Sequence, residues 1–272
     1  MLTGFALAAE DEIVRVRILS RFHPMEITVE AAQGRTTTLN ENSAYPIRFR
    51  SEPRYRIDIP GRGETRYYTG ALEAWWEDGE IVLVNHAPLE DYVAGVVVAE
   101  MGSGHPAAMR AQAVIARTWA LRHKDEEAEY SFGDLANHQV FHGFSTRAEQ
   151  AAEMIEATRG MVLTYDGRPI DAVFHAACAD HVYSANEIWG GRDHEYLRAV
   201  TLPDVIASTA ERGWIRRLPR ERVDPLFQAA TGQRPEYRIG RRDGQLGVHV
   251  IPGEWIGIDR FRLTIERALG WN

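Results

Sequence analysis

Cysteine is almost absent from this chain. Cys178 stands alone among 272 residues, which excludes an internal disulfide framework. No stretch approaches the roughly 20 consecutive apolar residues that a membrane-spanning helix needs, so no span is expected. Basic charge is also short: 31 Lys and Arg face 39 Asp and Glu, a formal net charge of -8. Proteins that bind nucleic acid neutralise phosphates with a basic surface, so nucleic acid is not an expected partner. Lys124 is the only lysine, which leaves arginine as nearly all of the basic residues. Arginine suits planar, bidentate contacts with carboxylates, although a GC-rich genome produces the same bias. No Ser-His-Asp nucleophile elbow, P-loop or G-x-G-x-x-G turn occurs. No pair of acidic residues has a spacing that identifies a two-carboxylate glycosidase.

What remains is the composition of an ordinary globular protein, 44% hydrophobic and 26% charged, long enough to bury a substantial core. The amino terminus carries Ala6-Leu7-Ala8, the small-x-small pattern of a signal-peptidase site. Its basic region and most of its apolar run are missing. The segment reads as the end of a truncated export signal, and an extracytoplasmic location is expected.

Residues 10–80 read as a β-rich region. Ile13-Val14-Arg15-Val16-Arg17-Ile18 alternates with period two, as a half-buried strand does. Ile27-Thr28-Val29, Ile47-Arg48-Phe49 and Tyr55-Arg56-Ile57-Asp58-Ile59 repeat the pattern, and Glu80 to Asn85 is a further strand. Residues 81–272 read as a mixed helix and strand region. Leu89 to Met101 has apolar residues at helical spacing, and Pro106 to Lys124 opens on proline and closes on basic residues. Ala148 to Arg159 is a helix closed by Gly160. Met161 to Tyr165 and Ile170 to His175 flank Asp166-Gly167 as a hairpin. A helix near Pro219 to Ala230, strands near Tyr237 and Gly247 to Ile251, and a helix from Asp259 to Leu269 complete the chain. The expected class is α+β, with a β-rich part packed on a mixed catalytic core.

Glu100 stands out among the acidic residues. It follows Val96-Val97-Val98-Ala99, and an apolar setting disfavours the charged form of a carboxyl, which suits a general acid. The flexible run Gly102 to Pro106 could admit a ligand beside it. Gln112 and Arg117 lie within an Ala/Val/Ile helix, where polar groups need partners. Arg117 has two readings, a contact with Glu100 or substrate and a buried structural ion pair. His175, Cys178 and His181 form a His-x-x-Cys-x-x-His cluster of good zinc ligands, with His138 and His142 upstream. Trp75-Trp76 reads as a sugar platform or as strand surface.

These segments, in this order, resemble the SpoIID/LytB family of bacterial cell-wall proteins. The blocks that carry the resemblance are Leu89 to Met101 and Met109 to Leu121. It continues through Gln139-Val140-Phe141-His142-Gly143, Ile170 to His175, Ser184 to Gly190 and Tyr196 to Val200. The resemblance implies lytic transglycosylase activity on peptidoglycan glycan strands, with Glu100 as the single acid/base. Such chemistry closes an anhydro ring with the sugar's own 6-hydroxyl, so no second carboxylate is required. Gln112, Arg117, Gln139 and Trp189 would then shape the groove. No cofactor is required, though zinc sites in some members lend weight to His175, Cys178 and His181. Two departures stand out: Ala179-Asp180 replaces a Gly-Gly pair, and Asp134 to His138 lacks the family's cysteines. Two other functions remain open. One is a non-catalytic module that binds peptidoglycan and activates a cell-wall amidase; the other is a zinc-dependent hydrolase.

Overall fold

The structure, a computed structural model, describes residues 4–9, 11–175, 181–191, 193–203, 217–227, 235–251 and 253–269. The chain divides into two compact units, residues 2–174 and 175–272.

The first unit is built on a seven-stranded sheet. Its strands are β2 (Ile13–Ile18), β3 (Glu26–Glu30), β4 (Thr36–Asn40), β5 (Ile47–Ile59), β6 (Glu64–Glu77), β7 (Glu80–Pro88) and β8 (Phe132–Gly133). They lie in the order β4-β3-β5-β6-β7-β2-β8, antiparallel except for the parallel β2–β8 pair. Alternation in β2 works as read: Val14, Val16 and Ile18 are buried and the residues between them are not. The expected division near residue 80 is not where the chain divides. β7 begins there, and it pairs with β6 on one side and β2 on the other. The strands before residue 80 and the helices after it therefore share one unit.

β7 delivers the chain directly into α1 (Leu89–Met101), with Glu90 and Asp91 in its first turn, where acidic residues complement the helix dipole. Leu89 and every residue from Tyr92 to Val97 are buried, the pattern of a central helix covered all round. That burial overrides the modest helix propensity of the β-branched run Val96-Val97-Val98. Gly102, at φ +68°, ends the helix and returns its N–H to the Val98 carbonyl. α2 (Pro106–His123) starts on proline and is capped by the His105 ring, which accepts from the Ala107 N–H at 3.2 Å. Ser145 caps α3 (Thr146–Ile155) in the same way.

A second, three-stranded sheet has the order β1-β9-β10, made of β1 (Gly4–Leu7), β9 (Met161–Tyr165) and β10 (Arg168–Pro169). Gly4 to Leu7 is a strand antiparallel to β9, and one expectation changes here. The hairpin at Asp166-Gly167 forms, but its second arm stops at Pro169 instead of running to residue 175. Proline cannot donate to a ladder, and β9 already has a partner in β1 on its other edge.

The second unit holds β11 (His181–Val182), α4 (Ala185–Trp189), β12 (Val200–Thr201), α5 (Arg220–Val223), β13 (Glu236–Arg242), β14 (Gln245–Ile251), β15 (Trp255–Gly257) and α6 (Ile258–Leu269). Val248, Val250 and Ile256 form its core, with Phe227, Tyr237, Ile258 and Phe261 packed around them. A capping box between Ser184 and Glu187 starts α4. Of the helix expected over residues 219–230, α5 and a 3-10 turn at Asp224–Leu226 are seen; residues 228–230 lie outside the described residues. The α+β class holds, with helices and strands in comparable measure.

Candidate active site

Glu100 occupies the last turn of α1, where the helix emerges from the core. Val97 is buried, whereas Val98, Ala99, Glu100 and Met101 are each half-buried. The enclosure expected from its apolar neighbours is therefore incomplete, and the carboxylate stands at the rim. The Val140 N–H donates to Glu100 Oε1 at 2.8 Å. Among the described residues no partner occupies Oε2. A carboxylate in a final helical turn faces the negative end of the dipole, which costs a few tenths of a kcal/mol or more. Helix stability does not account for an acid at this position, and a broken local rule of this kind marks functional sites.

Val140 belongs to a loop that leaves β8 and runs along α1. Asp134 anchors it: the carboxylate accepts from the Leu19 N–H and the Ser20 hydroxyl, both at 2.7 Å. Leu19 is held at φ +60° by this contact, an uncommon conformation for a residue with a side chain. The Asp134 carbonyl accepts from the Phe141 N–H at 3.1 Å. Gln139 is fully buried, and its Oε1 accepts from the Tyr92 hydroxyl at 3.1 Å. The Tyr92 ring packs on Phe132 and Phe141, with centroids 5.4 and 4.9 Å away. Burial first, and then the negative charges of Glu100 and Asp134, hold the Tyr92 hydroxyl neutral well beyond the ordinary tyrosine range. Gly143, at φ +86°, lies where a Cβ would meet the Tyr67 carbonyl oxygen at 2.1 Å. The loop is thereby tied to β6 as well as to α1.

Arg117 is placed elsewhere. It is completely buried, and its Nε and Nη2 donate to the two oxygens of Glu90 at 2.8 and 2.6 Å. Nη1 donates to the Met161 carbonyl at 3.0 Å, and the Gly160 N–H also reaches Glu90, at 3.1 Å. Glu90 is ten residues before Glu100 on the same helix, about 15 Å along its axis. Of the two readings of Arg117, the geometry is that of a buried ion pair joining α1, α2 and β9. With its donors occupied inside the core it does not line a groove.

Gln112 is half-buried on α2, with its Nε2 enclosed and unpartnered among the described residues. Gln139, expected to meet substrate, instead turns inward, and its Nε2 likewise has no partner among the described residues. Trp189 ends α4 in the second unit and is 50% exposed. Of the expected metal cluster, Cys178 lies outside the described residues, while His181 is in β11 with its ring edge-on to Tyr183. Among the described residues no group of three or more His, Cys, Asp or Glu is arranged to hold a metal ion. With Cys178 outside the described residues the expected cluster is not tested as a whole, and no chemistry is derived through a metal.

Tyr92, the Val140 N–H and the Glu90 carboxylate are the participants that pattern reading passed over. A signal was present for the first. Tyr92, Gly95, Val96, Ala99 and Glu100 fall at i, i+3, i+4, i+7 and i+8, one stripe of a helix. The backbone donor had no such signal, because it depends on a loop finding its place 40 residues later.

Fold and site together describe an α+β protein in which a buried central helix presents one carboxylate at its open end, oriented by a backbone amide. Residues 77–165 match the family described as SpoIID: Stage II sporulation protein. The matched segment contains β7, α1, α2, the Val140 loop, α3 and β9. Stage II sporulation protein D of Bacillus subtilis (strain 168) is 29% identical over 193 residues, covering 64% of this chain and 52% of that protein. An uncharacterized protein of Brachyspira hyodysenteriae is 32% identical over 45% of the chain and 34% of its own length. An amidase enhancer of Bacillus subtilis is 28% identical over 48% of the chain and 17% of its own length. The chain spans about half, or less, of the length of these relatives. Among the described residues no helix is long and apolar enough to cross a membrane.

Proposed function

We propose that this protein acts on the bacterial cell wall, outside the cytoplasm, and cleaves peptidoglycan glycan strands by lytic transglycosylation with Glu100 as the single acid/base. The observation that carries this reading is the Glu100 carboxyl at the half-open end of α1, with Oε1 fixed by the Val140 N–H and Oε2 left for a ligand. In the proposed reaction protonated Glu100 gives its proton to the glycosidic oxygen as the bond from that oxygen to C1 breaks. The 6-hydroxyl of the same sugar attacks C1, and its proton returns to Glu100. One bond to C1 is exchanged for another, the acid is regenerated and no water is consumed. A reacting hydroxyl carried on the substrate itself has the advantage of proximity, and a single carboxyl serves both proton transfers. Within the unit that carries Glu100, Gln112 is the remaining candidate for substrate contact.

A second reading has its own support in the amidase enhancer relative: a non-catalytic module that binds peptidoglycan and activates a cell-wall amidase. Mass spectrometry of purified glycan strands after incubation separates the two. The enzymatic reading expects new anhydro-muramyl ends with the wild-type protein and none with Glu100→Gln. Absence of such ends from wild-type digests, together with stimulation of an amidase by both proteins, establishes the second reading instead.

A further inference from the structure

Gln139 carries a polar side chain into a fully buried position, which requires a reason. An amide buried without partners costs roughly 1–3 kcal/mol, and a residue meant to touch substrate has no use for it. Its one hydrogen bond among the described residues is to the Tyr92 hydroxyl, itself completely buried. Gln139 is also the immediate neighbour of Val140, whose N–H makes the one hydrogen bond found on the Glu100 carboxylate among the described residues. Consecutive residues are joined through a rigid peptide plane with Cα atoms 3.8 Å apart, so fixing Gln139 fixes the direction of the next N–H. Gly95 lets the loop come this close: a Cβ there would stand 2.6 Å from both the Gly143 carbonyl oxygen and Phe141 Cε2. Three contacts along one stripe of α1 thus converge on a single backbone donor. We infer that Tyr92 and Gln139 are positioning residues, a clamp between helix and loop that holds the Val140 N–H against Glu100 and sets the orientation of its carboxyl. The inference rests on the acid/base role proposed above, but the clamp itself is open to a test independent of turnover.

The Val140 amide reports on the clamp. Its proton chemical shift follows the ionisation of Glu100 only while the hydrogen bond exists, and Glu100→Gln identifies that response by abolishing it. In Tyr92→Phe the ring stays packed on Phe132 and Phe141 and only the hydroxyl is lost; Gln139→Met removes the acceptor at similar volume. Both variants are expected to lose at least about half of the pH-dependent shift of the Val140 amide. On glycan strands kcat is expected to fall roughly tenfold while KM changes by less than about twofold, the signature of a lost transition-state contribution. Gly95→Ala, which pushes the loop outward, is expected to abolish the amide response; if it does not fold, the other two variants still decide. A full wild-type amide response in Tyr92→Phe and Gln139→Met overturns the clamp. A reduced response with unchanged kcat overturns its part in the reaction. Absence of turnover in the wild-type protein refutes the proposed function alone, because the amide titration then still tests the clamp.

Discussion

The two ends of α1 carry one carboxylate each and treat them oppositely. At the first turn Glu90 has both oxygens engaged by a completely buried arginine and by a backbone N–H, on the favourable end of the dipole. At the last turn Glu100 has one backbone hydrogen bond, a free oxygen among the described residues and the unfavourable end of the dipole. Charge pairing, a backbone N–H and helix electrostatics all stabilise the first carboxylate and offset its desolvation; only the loop amide supports the second. An acid whose surroundings satisfy it fully is a structural part. An acid left partly unsatisfied at a rim retains the capacity to exchange a proton with something that arrives.

The largest expected effect tests the open end. Glu100→Gln keeps an oxygen for the Val140 N–H and should leave the thermal unfolding midpoint within a degree or two. Glycan cleavage should fall about 10²–10⁴-fold, the usual range for loss of a general acid/base. Retained turnover in this variant removes Glu100 from the chemistry. The closed end should respond in the reverse sense. Arg117→Met leaves the half-buried Glu90 without its counter-charge and is expected to cost up to about 3–5 kcal/mol, measured by urea unfolding. The double variant Glu90→Leu/Arg117→Met should recover much of that loss, because replacing a buried ion pair by apolar side chains is often neutral. Cleavage per folded molecule should stay near wild type in the double variant. A double variant as unstable as the single one would show that the Met161 carbonyl and Gly160 N–H contacts, and not the ion pair, hold this end together.

How far the sequence discloses this contrast depends on the range of the forces involved. α1, α2 and the strand alternation in β2 are visible because periodicity, caps and dipole-matched charges are local. Glu100 is legible as an acid out of place in an apolar run. Arg117 is legible only as a polar residue that needs a partner. That its partner is Glu90 follows from the packing of α1 against α2, which no spacing encodes. Gln139 misleads for a related reason. It stands among polar residues, Asn137 and His138, where a solvent-facing side chain is the natural expectation, and only the arrival of Tyr92 from another element makes an inward turn favourable. The pairing of Gly4–Leu7 with β9 joins segments more than 150 residues apart and escapes pattern reading in the same way. The boundary at residues 174/175 escapes it too, because a composition shift near residue 80 reflects a change of secondary structure inside one unit.

The smallest effect concerns pH: His86 in β7, lowered by burial, acts in the same sense, and the part open to test belongs to the two histidines of the Val140 loop. His138, in the Val140 loop, accepts from the Gly133 N–H through Nδ1 at 3.4 Å. Burial, followed by the nearby His123, holds its pKa below the ordinary histidine value. His142, further along the loop, is lowered by burial and then by Arg66 and Arg21, with Asp134 and Glu64 acting in the opposite sense. A histidine with a lowered pKa in the folded state binds its proton more readily when unfolded. Its stabilising contribution is therefore complete above the unfolded value of about 6.5 and is lost as pH falls through the lower folded value. Protonation of His138 also removes the acceptor for the Gly133 N–H. The unfolding midpoint should drop by a few degrees between neutral pH and about pH 5, and His138→Gln should reduce that slope, leaving the contributions of His142 and His86. Arg117 and Glu90 make no contact with either histidine among the described residues, so the double variant at the closed end should show the same slope as wild type. A slope that disappears with the Glu90–Arg117 pair, and persists undiminished without His138, would place the acid sensitivity at the wrong end of the helix.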